Sequence, residues 1–220
     1  MTRPASPRVA LIHALAHSVA PINDAMARQW PQCVRMNLLD DSLSADLAAS
    51  PGGLDAAMTA RFVALADYAV STGAQGILFT CSAFGPCIDA VARRHAPMPV
   101  LKPNEAMLAD AAAPGRRVGL VASFAPTLAS MPAEFPAGVA LRTALAAGAL
   151  EALNRGDAAR HDALAAEAAW RLVREEGCGV IALAQFSLAR AADAVAQRCG
   201  VPVLTTVDSA VRAMKSRLGA

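Results

Sequence analysis

The sequence predicts an α/β protein made of two pseudo-symmetric lobes, each a mainly parallel sheet flanked by helices, with the active site expected in the cleft between them. Three observations carry this expectation. Short apolar runs alternate with longer Ala-rich stretches along all 220 residues, the pattern of parallel strands joined by helices. The segment Gly73–Leu101, GAQGILFTCSAFGPCIDAVARRHAPMPVL, overlays Gly177–Leu204, GCGVIALAQFSLARAADAVAQRCGVPVL, once one residue is dropped before the second Pro-Val-Leu. In the same sense, RVALIHAL at Arg8–Leu15 matches RVGLVASF at Arg117–Phe124. Two related halves that each offer the same strand end make a crevice suited to a ligand.

The elements follow in order. After Pro4 and Pro7 an N-terminal tail leads into a strand at Arg8–Ala14, then a helix at Ala20–Trp30 and a strand at Val34–Leu39. Pro51–Gly53 signals a turn ahead of a long helix, Leu54–Thr72, whose apolar residues recur at core spacing. The continuous apolar run Gly76–Thr80 reads as a buried strand, and Pro86 suits the first turn of a helix to His95. A short strand at Val100–Lys102 and a helix at Asn104–Ala112 complete the first half. Pro114-Gly115 is the boundary signal, giving a first lobe of residues 1–114 and a second of 115–220. The second half repeats the order: strands Arg117–Ala122, Val139–Thr143, Val180–Ala184 and Val203–Thr205, with helices Ala125–Ala133, Ala144–Asn154, Asp157–Glu176, Ala189–Cys199 and Ser209–Leu218. Because the last helix holds the place that Asn104–Ala112 holds in the first repeat, the terminal helices are candidates to cross over to the opposite lobe.

Composition excludes several classes. Net charge is +2, only 17% of residues are charged, and no Lys/Arg run occurs, so there is no electrostatic footprint for nucleic acid or an anionic membrane. Hydrophobicity is 55%, much of it alanine, and no stretch approaches the roughly 20 apolar residues of a membrane span. The N-terminus does not read as a secretory signal. Five cysteines, an odd number without a compact framework, imply free thiols in a reducing compartment, with the cytoplasm as the expected location. No close Cys/His pairs carry structural zinc spacing, so no metal is expected.

In the internal repeat Cys81 falls on Gln185 and Asp89 on Asp193. Cys81 leaves the carboxyl end of the strand GILFT just ahead of a helix, where backbone N–H groups and the helix dipole favour a thiolate. The bland alternative is a buried, inert cysteine. Cys33, Cys87, Cys178 and Cys199 read as packing residues. His13 ends the first strand, where the repeat has Ala122, and is the second catalytic candidate; a local hydrogen bond is the competing role. His17 falls in the same loop, whereas His95 and His161 read as helix-surface residues. Thr80, Ser82, Ala83, Phe186 and Ser187 supply hydroxyl and backbone donors at paired helix starts, suited to carboxylate oxygens. Ser123, Phe124, Gln185, Asn104 and Thr205 are further substrate-contact candidates, with capping or turn formation as the alternative for each. Lys102 and Arg190 are candidates for a second carboxylate. Asp89 and Asp193 read as a solvated helix face.

The N-terminal strand, GAxGIxxTCSAFG after a long helix, PVLKPNEAM, RVGLVAS and GVPVLTT together resemble the aspartate/glutamate racemase superfamily, which includes hydantoin racemases, maleate isomerases and arylmalonate decarboxylases. The resemblance implies a pseudo-symmetric two-lobed fold, no cofactor, a small carboxylate-bearing substrate, chemistry at the carbon next to that carboxylate, and room for a homo-oligomer. In such racemases two cysteines face each other across the substrate. Here Gln185 stands at the second position, and a neutral amide does not serve as an acid or base near neutral pH. The family's decarboxylases keep one cysteine, in the second half, and its maleate isomerases use the first-half cysteine as a nucleophile. Ser123-Phe124 falls where the family has a Thr-Pro-Tyr type loop, so a hydroxyl donor is missing. The leading expectation is an amino-acid-racemase-like isomerase with Cys81 as acid/base. A one-thiol decarboxylase or maleate-isomerase-like enzyme, and a non-catalytic small-molecule binder of the same fold, are the alternatives.

Overall fold

The computed structural model describes residues 6–113 and 115–220. The start of the expected N-terminal tail, residues 1–5, and Pro114 on the expected lobe boundary lie outside the described residues. The chain forms two compact units, one running to Pro103 and taking in Ala210–Ala220, the other spanning Asn104–Ser209.

The first unit holds strands β1 (Arg8–His13), β2 (Val34–Leu39), β3 (Gly76–Phe79) and β4 (Val100–Leu101) in one parallel sheet ordered β2-β1-β3-β4. Its helices are α1 (Val19–Gln29), α2 (Ser42–Ala49), α3 (Ala56–Ser71) and α4 (Gly85–Arg94). Central strands β1 and β3 are covered on both sides, so RVALIH and GILF read as nearly unbroken apolar runs rather than alternating ones. Helix α3 starts where the Asp55 carboxylate accepts the Met58 N–H at 2.7 Å. It buries Met58, Phe62, Ala66 and Ala69, one stripe at helical spacing. Phe62 stacks on Phe79 (5.2 Å between ring centroids) and meets Phe84 (4.8 Å), which closes the core beneath the end of β3.

The second unit repeats the plan with α5 (Glu105–Ala112), β5 (Val118–Ala122), α6 (Ala125–Ser130), β6 (Leu141–Leu145), α7 (Ala149–Asn154), α8 (Ala158–Arg174), β7 (Val180–Leu183), α9 (Ala192–Cys199), β8 (Val203–Thr205) and the start of α10 (Thr206–Arg217), whose residues from Ala210 on belong to the first unit. Its sheet order is β6-β5-β7-β8, again parallel, so each strand holds the place of its counterpart in the first unit. Helix α5 packs Met107, Leu108 and Ala111 with Val118, Leu120, Val180 and Ala182. From the other end of the chain, Met214 of α10 lies against Gly76 of β3, where a Cβ would come within 2.8 Å of its sulfur. These contacts put the division of the chain at 103/104 and 209/210.

Three elements depart most from the sequence expectation. Helix α2 was not expected. It forms because the Asp40 carboxylate accepts both the Ser42 N–H (3.2 Å) and its hydroxyl (2.6 Å), and Arg61 of α3 pairs with Asp40 and Asp46 across it. Strand β6 lies two residues later than Val139–Thr143, because β5 pairs Ala122 with Leu145 and draws Ala144 and Leu145 into the sheet. The following helix then begins at Ala149, after Gly148 at φ +78°. Among the described residues no helix is long and apolar enough to cross a membrane.

Candidate functional site

Cys81 follows β3 directly and is the N-cap of a short 3-10 turn, Ser82–Phe84, that feeds α4. Gly85 and Pro86 form that helix's first turn, so the cysteine stands one 3-10 turn short of the α-helical N-terminus. Its Sγ receives the Ala83 N–H and also engages the Ser44 side chain. Ser44 lies on α2, and its hydroxyl donates to the Ala14 carbonyl at 3.1 Å. Thus α2, absent from the sequence expectation, ties the ends of β1 and β3 together around the thiol. Cys81 shares with Ile12, His13, Leu43, Phe62 and Phe79 a narrow indentation, whose walls stand too close to admit a water molecule.

That dry setting corrects the expected low-titrating thiol. Burial pushes the Cys81 pKa up, and the Ala83 N–H and Ser44 hydroxyl pull it back only in part. The resting form is therefore the neutral thiol. Cys33 is likewise raised by burial, to about 11, and Cys178 and Cys199 are raised for the same reason. Cys33, Cys87 and Cys178 are buried, as packing residues are.

His13 closes β1 and is wholly shielded from solvent. One ring nitrogen, Nδ1, stands 2.9 Å from the Thr80 hydroxyl, and Nε2 stands 3.0 Å from Asn37 Oδ1 on β2. Asn37 in turn forms a reciprocal amide pair with Asn23 of α1. Burial lowers the His13 pKa, outweighing the Asn37 contact, so the ring is neutral. Thr80 also lies 3.4 Å from the Ile12 carbonyl. Asn23, Asn37 and Ser44 did not figure among the expected site residues. Asn37 lies on the exposed face of β2, so the alternation of VRMNLL gave no signal for it.

At the matching strand end of the second unit, Gln185 follows β7 and is the N-cap of a 3-10 helix, Phe186–Ala191. Its Oε1 accepts from the Ser123 N–H at 2.6 Å and from the Ser123 hydroxyl at 3.1 Å. A backbone N–H only donates, so the amide's orientation is fixed and its NH2 end points away from Ser123. Here the unit lacks the polar cluster of the first: the places of His13 and Thr80 are taken by Ala122 and Ala184.

The remaining candidates separate clearly. Ser82 and Ala83 stay partly exposed at the start of the turn after Cys81, and Ser187 is buried at the corresponding turn. Phe186 is 2% exposed and Phe124 42%, so the first is core and the second is surface at the N-cap of α6. Asn104 is buried before α5 with Oδ1 unpartnered. Thr205 exchanges hydrogen bonds with Asp208 (2.9 and 3.0 Å) and acts as a cap for α10. Lys102 is engaged by Asp89 at 2.8 Å and Arg190 by Asp162 at 2.9 Å, and the Asp89 side chain stays about half exposed on its helix face. His161 is not a surface residue: it is fully buried and bonded to Asp162 at 2.7 Å. His95 is also largely buried and pairs with Asp67 at 3.0 Å. Both turn inward because α8 and α4 pack their flanks against neighbouring helices. Among the described residues no group of three or more His, Cys, Asp or Glu is arranged to hold a metal ion.

The sequence profile of the Asp/Glu/Hydantoin racemase family matches residues 16–214. No curated protein sequence matches the chain at a significant level. Solved structures share the fold. Allantoin racemase from Klebsiella pneumoniae superposes with a TM-score of 0.72 at 19% identity, covering 97% of this chain and 88% of that one. Picrophilus torridus aspartate racemase gives 0.72 at 10% identity, covering 97% and 95%. A glutamate racemase isoform from Bacillus anthracis gives 0.73 at 10%, covering 98% and 82%.

Proposed function

Because the chain belongs to the Asp/Glu/Hydantoin racemase family, we propose that it is a cofactor-independent isomerase that inverts a small substrate at the carbon alpha to a carboxylate, with Cys81 as acid/base. The observation that carries this reading is the placement of Cys81. It stands at the end of β3 with Sγ held by the Ala83 N–H and Ser44, beside the partly exposed donors of Ser82 and Ala83. A thiolate there removes the α-proton, and the C–H electron pair passes into an enediolate whose oxygens take hydrogen bonds from backbone donors. The resting thiol is the acid form of the same group and returns a proton to the carbanion. Inversion needs a proton delivered to the opposite face. Gln185 does not supply it, since an amide neither gains nor loses a proton in this range; in this reading a water molecule on that face gives the proton, and the hydroxide it leaves takes the proton held by Cys81, which restores the thiolate.

That last point supports a second reading, a one-thiol decarboxylase or cis–trans isomerase. Its specific support is Gln185 itself, a neutral amide at the sequence position that the internal repeat pairs with Cys81, with its Oε1 committed to Ser123. In both readings the partner is a small carboxylate in the cytoplasm, with neither nucleic acid nor membrane.

Proton NMR in heavy water, wild type against Cys81→Ser, on aspartate, glutamate, hydantoins including allantoin, substituted malonates and maleate, tests these readings. Cys81-dependent deuterium uptake at the α-carbon with loss of optical activity supports the isomerase. Carbon dioxide release or fumarate formation supports the one-thiol reading. Turnover that persists in Cys81→Ser would remove the thiol from the mechanism, and ligand binding without turnover would return the chain to the non-catalytic binder.

A further inference from the structure

We infer that His13 is a positioning residue rather than the second acid/base group: a neutral imidazole protonated on Nε2, whose bare Nδ1 receives the Thr80 hydroxyl and so fixes the residue that precedes Cys81. One atom of the cluster has a role without alternative. The Val19 carbonyl only accepts, so the Asn23 side-chain atom 2.8 Å from it is the amide nitrogen. The other hydrogen of that nitrogen goes to the Asn37 atom at 2.8 Å, which is therefore the amide oxygen. Reversing Asn37 would set two NH2 groups against each other. His13 Nε2 lies 3.0 Å from that same oxygen and must carry a hydrogen to meet it.

In the neutral ring Nδ1 is then bare. Thr80 has one hydroxyl hydrogen and two acceptors in reach, Nδ1 at 2.9 Å and the Ile12 carbonyl at 3.4 Å. The shorter contact takes it. Because the ring is wholly shielded and both nitrogens are committed to protein atoms, His13 has no nitrogen to offer a substrate. Its effect reaches the chemistry through Thr80, which the ring binds to the end of β1 one residue before the thiol.

The significance for Cys81 rests on the isomerase reading; the tautomer does not, so the two can fail separately. The test is long-range 1H–15N NMR of the intact chain with 15N-labelled histidine near neutral pH. His13 is assigned by its loss in His13→Gln or, if that chain does not fold, by elimination once the resonances of His17, His95 and His161 are each removed by substitution to Gln. The expected pattern is a protonated Nε2 and an unprotonated Nδ1. In Thr80→Val the Nδ1 resonance moves downfield, toward an imidazole nitrogen that accepts nothing, and Thr80→Ser restores the wild-type position. A proton on Nδ1, an imidazolium, or an Nδ1 resonance indifferent to Thr80→Val would overturn the inference.

Discussion

Replacing Asn37 with leucine isolates the worth of the polar cluster behind Cys81. The substitution removes the oxygen that accepts from His13 Nε2 at 3.0 Å and from Asn23 at 2.8 Å. These losses are unequal. Asn23 is partly exposed and keeps its bond to the Val19 carbonyl, so water takes the vacated place at little cost. His13 is 0% exposed, and its N–H is left with no acceptor. A buried donor stranded in this way costs about 1–3 kcal/mol. For a chain of this size about 1 kcal/mol moves the melting temperature by about 2–4 °C, so a drop of roughly 2–12 °C is expected, with the urea midpoint shifting in the same sense. The partner experiment is the double variant His13→Leu/Asn37→Leu. Both polar groups are then gone, and Thr80 retains the Ile12 carbonyl as its acceptor. The double variant should therefore be more stable than the sum of the single effects by roughly 0.5–3 kcal/mol. Asn37→Asp, which keeps an acceptor, should fold normally. If Asn37→Leu melts with the wild type, or if the two single effects simply add, the reasoning about a coupled network around His13 is wrong.

Further consequences are as direct. Alkylation of Cys81 by iodoacetamide, followed by peptide mass spectrometry, should be slow at neutral pH and accelerate only above the ordinary thiol range, because burial raises its pKa; a fast reaction at pH 7 would contradict the dry setting. Cys33, raised to about 11, with Cys81 and Cys178 shifted in the same direction, makes stability pH-dependent. A raised folded pKa stabilises the protein fully below the unfolded thiol value of about 8.5, and that contribution is lost as pH climbs through the folded value. Urea midpoints should therefore fall from pH 8 towards pH 11, less steeply in Cys33→Ala. Gly119→Ala should destabilise by about 1–3 kcal/mol, since the added Cβ would lie 2.7 Å from Ile181 Cδ1 and 3.2 Å from Leu172 Cβ. Adding Ile181→Val should recover part of the loss, and a neutral Gly119→Ala would show that the second unit's core is looser than described. Phe62→Ala, which empties a site packed against Phe79 and Phe84, should cost about 3–5 kcal/mol, read from the same denaturation curves.

The sequence alone determined the order of strands and helices, because its apolar runs and Ala-rich stretches report which segments are covered on two sides and which on one. It also determined the duplication and, through it, the pairing of Cys81 with Gln185, since a repeat is a property of letters before it is a property of space. Helix α2 escaped that reading. Its start is encoded by Asp40 capping Ser42, yet its place depends on Arg61, far along the chain. What Cys81 and His13 do was likewise decided by tertiary structure. A cysteine at a strand end is equally a thiolate or a packed thiol in sequence; the closure of Phe62, Phe79 and Leu43 around it made it a raised thiol. A histidine ending β1 is equally a base or a satisfied core residue. Asn37, on the neighbouring strand, and Thr80, 67 residues away, consumed both of its nitrogens and made it the latter. Protonation state and hydrogen-bond direction belong to surroundings that only the folded chain assembles.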